Sequence, residues 1–444
     1  MNKKILSGLA LAVATAAIFA GCGDGGKTAS KDEKITIRMT YSATELDSIN
    51  RDGDAVFAEF YEKYPNVTVE FEEGGSTMMA KIAANDAPDI IRCSPVDIPT
   101  YVNKNIIMPL DDYLAKSELY DENDIYPLAL NTYRFDGLEF GKGSIYGLPK
   151  DWSPNTLYVN KAAFEKSGLR VPSVENPMTF SEMKTAAEKL TIKNGNDVER
   201  FGVVNLTSGV LDLIESTLNM EGKSIWSDDF KTINLKSEDA MKVAQYWFDM
   251  FKNGNSPSSL YNMSTDGNLA ISEDKVGMCI SALYAGRGMQ ENPNRTVDTE
   301  DILLTPYPVS DNTKTVYNIC TPTGAVISAQ TEHPDEVFAC WEYIHLGPLV
   351  EKRASKGLNL PIKKSVAEKV SPESDFLKEN LEMTLKIAEK DFLLPKVNPY
   401  VTGAASIFNK YWGPALEGEF SLEEALETIQ DEIQILINEG VNNA

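Results

Sequence analysis

The stretch GLPKDWSPNTLYVN, Gly147 to Asn160, decides the fold. Leu157-Tyr158-Val159 reads as a buried strand, and Asn160 stands where a helix N-cap belongs, ahead of KAAFEKSGL. Before the strand comes an irregular run, Lys150-Asp151-Trp152-Ser153-Pro154, in which a large aromatic sits among two charges and a proline. A surface loop rarely carries a Trp without use for it. Such a run suits a chain passing between two folded bodies, with the aromatic turned toward the gap.

Outward from there the pattern alternates. KITIRMTY places Ile35, Ile37, Met39 and Tyr41 at period two, a strand. Phe57, Phe60, Tyr61 and Tyr64 follow at helical spacing, Pro65-Asn66 stops that helix, and VTVEFEEG is the next strand. A short helix in MMAKIAAN leads to the apolar strand PDIIRCS. Beyond the opening stretch, Thr179 and Glu182 stand in capping-box spacing, FGVVNL is a strand, and SEDAMKVAQYWFDMFKNG is a helix with Trp247 on its apolar face. VGMCIS and TGAVIS read as strands. HPDEVFACWEYIHL is a helix burying Trp341, and Ser421 with Glu424 opens a C-terminal amphipathic helix. Trp412 shares helical spacing with Phe408 and reads as core. Strands alternating with helices predict an α/β protein with mostly parallel sheets.

The chain has 444 residues, a formal charge of -24 and a pI near 4.6. That balance excludes nucleic acid and anionic lipid surfaces as partners, since both demand basic patches. The N-terminus reads MNKK, then the apolar ILSGLALAVATAAIFAG, then Cys22 and the polar GDGGKTASKDEK. This is the layout of a secretory signal over 1–21 and a flexible linker over 22–33. The apolar run is short for a membrane span. Cys93, Cys279, Cys320 and Cys340 form no CxxC pair and lie in apolar surroundings, so buried free thiols are expected, with a disulfide left open.

Catalytic motifs are sparse. His333 and His345 are too far apart for a zinc motif, and His345 continues an apolar helix face. GLEFGKG lacks the spacing of a phosphate-binding loop, and DENDIY lacks the central Gly of a calcium loop. Neither metal nor cofactor is expected. Paired carboxylates for glycoside hydrolysis are a spatial matter that no spacing selects.

Taken in order, several segments resemble one family. FAEFYEKYPNVTVEF, MAKIAANDAPDII, NIIMPLDDYL, YGLPKDWSPNTLYVNKAAFEKSGL with MTFSEMKTAAEKL, DKVGMCISALYAG, TGAVISAQTEHPDEVFACWEYI and ALEGEFSLEEAL follow the series of the family 1 extracellular solute-binding proteins. These are the sugar-capturing lipoproteins of bacterial ABC importers. Phe180 stands where the family has Trp, and Phe19 where its lipobox has Leu. The resemblance implies a two-lobed periplasmic-binding-protein-like fold with a ligand cleft between the lobes. Lobe one would comprise 34–148 and 300–345, and lobe two 149–299 and 346–444. It implies a monomer that is lipidated on Cys22 (palmitate included), sits on the outer face of the membrane, and hands a sugar or oligosaccharide to permease subunits. It implies no enzymatic activity.

On that frame Trp152 becomes an aromatic plate for a sugar face, with Asp151 and Asn155 beside it for hydroxyls. Strand ends supply the remaining candidates, because open α/β sheets bind ligands there. Tyr41 and Ser42 end the first strand, and Tyr41 reads equally as core. Arg92 and Asp97 follow PDII, and Tyr284 and Arg287 follow MCISAL. Trp226 suits either the site or packing between lobes, and Tyr317 completes the set. Arg92, Lys150 and Arg287 keep open a receptor for a polyol phosphate, thiamine or a metal chelate, and a surface glycosidase is the remaining alternative.

Overall fold

The computed structural model describes residues 33–41, 56–75, 77–195, 197–207, 209–257, 266–354 and 359–443. Cys22, the signal and linker segment up to residue 32, and Ser42 lie outside the described residues.

In chain order the strands are β1 (Ile35–Tyr41), β2 (Val67–Glu73), β3 (Ile90–Cys93), β4 (Arg134–Phe135), β5 (Ser144–Ile145), β6 (Gly147–Pro149) and β7 (Thr156–Asn160). Then come β8 (Ile192–Asn194), β9 (Asp197–Asn205), β10 (Val276–Ser281), β11 (Ile302–Pro306), β12 (Asn318–Ile319), β13 (Gly324–Ile327) and β14 (Phe392–Leu393). They form two five-stranded sheets, ordered β2-β1-β3-β13-β6 and β11-β7-β10-β9-β8, one in each lobe. Two small ladders, β4-β5 and β12-β14, complete the set among the described residues.

Both sheets are mixed rather than mostly parallel. The locally wound strands, β1 with β2 and β3, and β9 with β10, are parallel. Most strands next to a lobe crossing pair antiparallel: β13 with β3 and β6, and β7 and β11 with each other or with β10. Such a strand enters its sheet from the facing edge, so no local helical crossover dictates its direction.

Each sheet is buried on both faces, which is why its inner strands are apolar throughout. In sheet one Ile90 packs with Trp341, while Ile91 packs on the other face with Ile98 and Tyr133. In sheet two Leu157, Val159, Met278 and Ile280 face the helices Phe180–Leu190 and Glu238–Lys252, and Tyr158 and Cys279 face the opposite way. Gly202 lets the helix Phe180–Leu190 approach β9: a Cβ there would stand 2.1 Å from the carbonyl oxygen of Ala187. The predicted caps form. Asn160 accepts the N–H of Ala163 at 2.9 Å, and Thr179 and Glu182 close a reciprocal capping box. Trp247, Trp341 and Trp412 are core residues, and all four described cysteines are free and buried.

Two boundaries differ from the sequence division. Strand β11 pairs with β7 in sheet two, so 302–306 lies in the second lobe and the return to lobe one follows Pro306. From 346 to 362 the chain stays in lobe one: Leu349, Leu360 and Ile362 share a core with Trp341. The helix Asp375–Ala388 reaches the second lobe through Phe376, Leu377 and Ile387 while its Leu381 still touches the first, and the helices Ala404–Glu417 and Leu422–Asn443 lie in lobe two, where Phe408, Trp412, Leu426, Ile429 and Ile433 join the core of Trp247. The apolar residues from 349 to 362 complete lobe one and those from 404 onward complete lobe two, so the crossing expected at 346 falls later in the chain, an arrangement that local pattern does not encode.

His345 is fully buried against Trp341, with ring centroids 4.7 Å apart and, among the described residues, no hydrogen-bond partner for either nitrogen. Burial, with Arg353 and Lys150 nearby, holds its pKa well below the ordinary 6.5. The unfolded chain therefore takes up a proton as pH falls through 6.5 while the folded chain does not, and stability drops in that direction. Unfolding free energies from urea titrations at pH 5 and pH 7 should differ less in His345→Gln than in the parent, by up to about 1.4 kcal/mol per pH unit below 6.5. Equal pH slopes would contradict a buried neutral imidazole.

Candidate functional site

Sheet edges define the site. Cys93, Pro149 and Gly324 lie at one edge of sheet one; Thr156, Asn205, Ser281 and Pro306 lie at one edge of sheet two. The segments 150–155 and 307–323 run from one edge to the other, which sets the two edges face to face across a cleft. The third connection joins lobe one to lobe two through the helix Asp375–Ala388 and β14.

The crossings are tied to each other and to the lobes. Trp152 and Leu360 exchange backbone hydrogen bonds, both 2.9 Å. Arg353 donates to the carbonyls of Lys150 (2.9 Å) and Ile344 (2.6 Å). Ser153 Oγ accepts the N–H of Leu283 from lobe two at 3.1 Å, and Asn155 N–H donates to Ile319 at 2.8 Å.

The cleft holds a pocket of about 310 Å³ walled by both lobes and both crossings. Lobe one contributes Arg92 and Asn359, lobe two Thr207 and Tyr284, and the crossings Asp151, Asn155 and Thr321. A second section of about 270 Å³ adds Val96, Asp212, Glu215, Tyr307 and Lys396. The two sections share Asn155, Thr207, Cys320 and Thr321, so they are continuous.

The lining is polar but only half hydrated. Burial pushes the carboxyls of Asp212 and Glu215 upward. Glu215 is held by Ser224 Oγ (2.5 Å) and the N–H of Ile225 (2.8 Å). Burial likewise lowers Lys150, with Asp151 opposing it, and raises Tyr284. Asp151 accepts from Asn359 at 3.1 Å. Amides, hydroxyls and carboxylates in a half-desolvated cleft gain more from a ligand hydroxyl than they would in bulk water. Among the described residues no cluster of His, Cys, Asp or Glu has the arrangement to hold a metal ion, and no helix is long and apolar enough to cross a membrane.

Five of the sequence candidates meet at this pocket: Arg92, Asp151, Trp152, Asn155 and Tyr284. Trp152 does not lie open as a plate. It is 2% exposed, in the lobe-one core, with its ring 4.9 Å from that of Tyr126. The open aromatic is Tyr284, at 38% exposure. The remaining candidates stand elsewhere. Tyr41 packs on Phe71 at 5.6 Å. Asp97 closes a capping box on the backbone of Ser94. Arg287 pairs with Glu291 at 3.2 Å on its own helix. Trp226 belongs to the lobe-two core and bridges to Ile233. Tyr317 packs against the same core. Thr207, Asp212 and Tyr307 were missed although each follows closely on β9 or β11, where the strand-end rule looks. Lys396 lies in the third connection and carries no such signal.

The arrangement is that of a two-lobed binding protein with an interlobe cleft. The sequence matches the family model of bacterial extracellular solute-binding proteins over residues 51–346, and the chain belongs to that family. An uncharacterised lipoprotein of Streptomyces antibioticus is 25% identical over 188 residues, 41% of this chain and 39% of the relative. The multiple sugar-binding protein of Streptococcus mutans is 20% identical over 183 residues, 40% of this chain and 39% of the relative. The chain thus spans about two fifths of the length of these curated relatives. The ABC substrate-binding protein of Listeria monocytogenes in complex with cycloalternan superposes with a TM-score of 0.74 at 17% identity, covering 91% of this chain and 100% of the other, which establishes the fold.

The two aromatics should separate in a stability assay. Trp152→Ala removes a packed core ring and should cost about 3–5 kcal/mol in chemical denaturation. Tyr284→Ala should stay within about 0.5 kcal/mol of the parent. A reversed order would refute their placement.

Proposed function

We propose that this chain is the sugar or oligosaccharide receptor of an ABC importer, lipidated on Cys22 and held as a monomer on the outer face of the membrane. It captures the solute between its lobes, closes, and presents a surface drawn from both lobes to the permease. It performs no chemistry on the solute.

One observation carries the reading: a single pocket is walled by both lobes and both crossings and surrounds an open tyrosine ring with amides, hydroxyls and the carboxylate of Asp151. The C–H face of a sugar suits the ring of Tyr284, and its hydroxyl belt suits Asp151, Asn155 and Asp212. The sugar-binding relative and the cycloalternan complex support the same chemistry. The order of basic start, apolar run and Ala20-Gly21-Cys22 supports lipidation. A second reading, an anionic solute such as a polyol phosphate, is favoured by Arg92 and Lys150 in the first section.

Thermal unfolding of the mature chain with a carbohydrate panel tests the proposal. A sugar present at a hundredfold excess over its Kd should stabilise by about 2.7 kcal/mol. Tyr284→Ala should weaken that sugar roughly tenfold in calorimetry, the size of one lost stacking contact. A response to phosphorylated polyols alone would favour the second reading, and turnover of an oligosaccharide would replace both.

A further inference from the structure

Resting on the carbohydrate reading above, we infer that Arg353 is a positioning residue for solute binding. It does not touch the solute; set back from the first crossing, it aims the Asp151 carboxylate into the first section of the cleft.

The observation is a clamp in which one lobe-one segment holds three consecutive residues of the crossing. Arg353 donates through a single nitrogen, Nη2, to the carbonyls of Lys150 (2.9 Å) and Ile344 (2.6 Å). Asn359 Nδ2 donates to Asp151 Oδ1 at 3.1 Å. Leu360 exchanges two backbone hydrogen bonds with Trp152, at 2.9 Å each. Arg353 lies in the last turn of the helix Pro348–Ala354, whose Leu349 is seated in the lobe-one core, and the side chain of Leu360 lies in the same core. Residues 150–152 therefore travel with lobe one. Ser153 is the next residue along the crossing, and its Oγ already accepts the N–H of Leu283 from lobe two.

Within the clamp the charges stand at different depths. Asp151 lines the first section together with Lys150 and Asn359. Arg353 lines neither section. Desolvation lowers the pKa of its guanidinium, and the charge of Asp151 opposes that shift. Lys150 responds in the same way to the same carboxylate. Asp151 thus answers to two cations, one in the cleft wall and one set back from it. A carboxylate offers about four acceptor positions, so the bond from Asn359 leaves others for solute hydroxyls. Attraction between charges removed from water is stronger than in bulk. A guanidinium that bonds two carbonyls at once also fixes the backbone beside Asp151, which a point charge on a flexible stem does less well. Loss of Arg353 releases the Lys150 carbonyl and removes one of the two cations, so the carboxylate loses its aim.

The test is a double-mutant cycle read by calorimetry on the mature chain, with gluco-, manno- and xylo-saccharides of one to three units as probes. For the tightest-binding probe, Arg353→Met should weaken affinity about tenfold, and Arg353→Lys, which keeps the charge, about threefold. Asp151→Asn should itself weaken the probe about tenfold, and in that background Arg353→Met should cost less than about twofold more. An arginine that merely supports the fold would weaken the probe by the same factor in both backgrounds. That result, or parent affinity in Arg353→Met or Asp151→Asn, overturns the inference and leaves the carbohydrate reading standing. Urea midpoints report whether each variant folds; if Arg353→Lys, the milder change, does not, Arg353 is a residue of the fold and the inference falls. Absence of binding by every saccharide overturns the carbohydrate reading and the inference with it.

Discussion

The backbone N–H of Asn155 reaches the carbonyl of Ile319 at 2.8 Å, and Ile319 lies in ladder with Leu393. Asn318 meanwhile donates through its backbone to Asp391 (2.8 Å) and through its side chain to Ala388 (3.3 Å). These contacts gather all three connections between the lobes into one narrow seam. Everything that makes the cleft a device depends on that seam. Each sheet has its own core on both faces, so each lobe is stiff. The seam is where a relative rotation of the lobes is cheapest, and a rotation there changes the width of the cleft without disturbing either core. The strap beyond the seam follows lobe two more closely than lobe one. Asn398 makes a buried 2.8 Å bond to Phe230, whereas Thr402 and Pro399 make only 3.4 and 3.5 Å contacts to Thr100 and Asn103.

The cleft gains its selectivity from groups that lose water without fully replacing it. The carboxyl of Asp212, on a residue that still meets solvent, is raised by desolvation, with one backbone contact in compensation. A ligand that supplies the missing donors recovers that cost, and an analogue lacking them leaves the group unpaired. Closure follows only to the extent that the solute binds the shut form more tightly than the open one.

Much of this was legible in the residues. Capping boxes at Thr179 and Ser421 and the N-cap at Asn160 mark helix starts through local hydrogen bonding, which sequence encodes directly. The run from Gly147 to Asn160 does carry the chain from one sheet to the other. Trp152 was misjudged because a position on a connecting loop says nothing about which way a ring turns. Its backbone is clamped by Leu360, more than two hundred residues away in sequence, and that pairing buries it. The same distance explains β11, whose partner β7 lies across the whole second lobe in sequence. Asp212 and Tyr307 sit at strand ends, yet a local apolar pattern gives no reason to prefer them over their neighbours.

The central claim is that two stiff halves close on a solute about this seam, and small-angle X-ray scattering tests it most directly. Curves are recorded for the mature chain alone and with the saccharide that raises its melting point. The account predicts a smaller radius of gyration in the liganded sample and curves fitted by the same two lobes brought together. Superimposable curves at saturating ligand would contradict it.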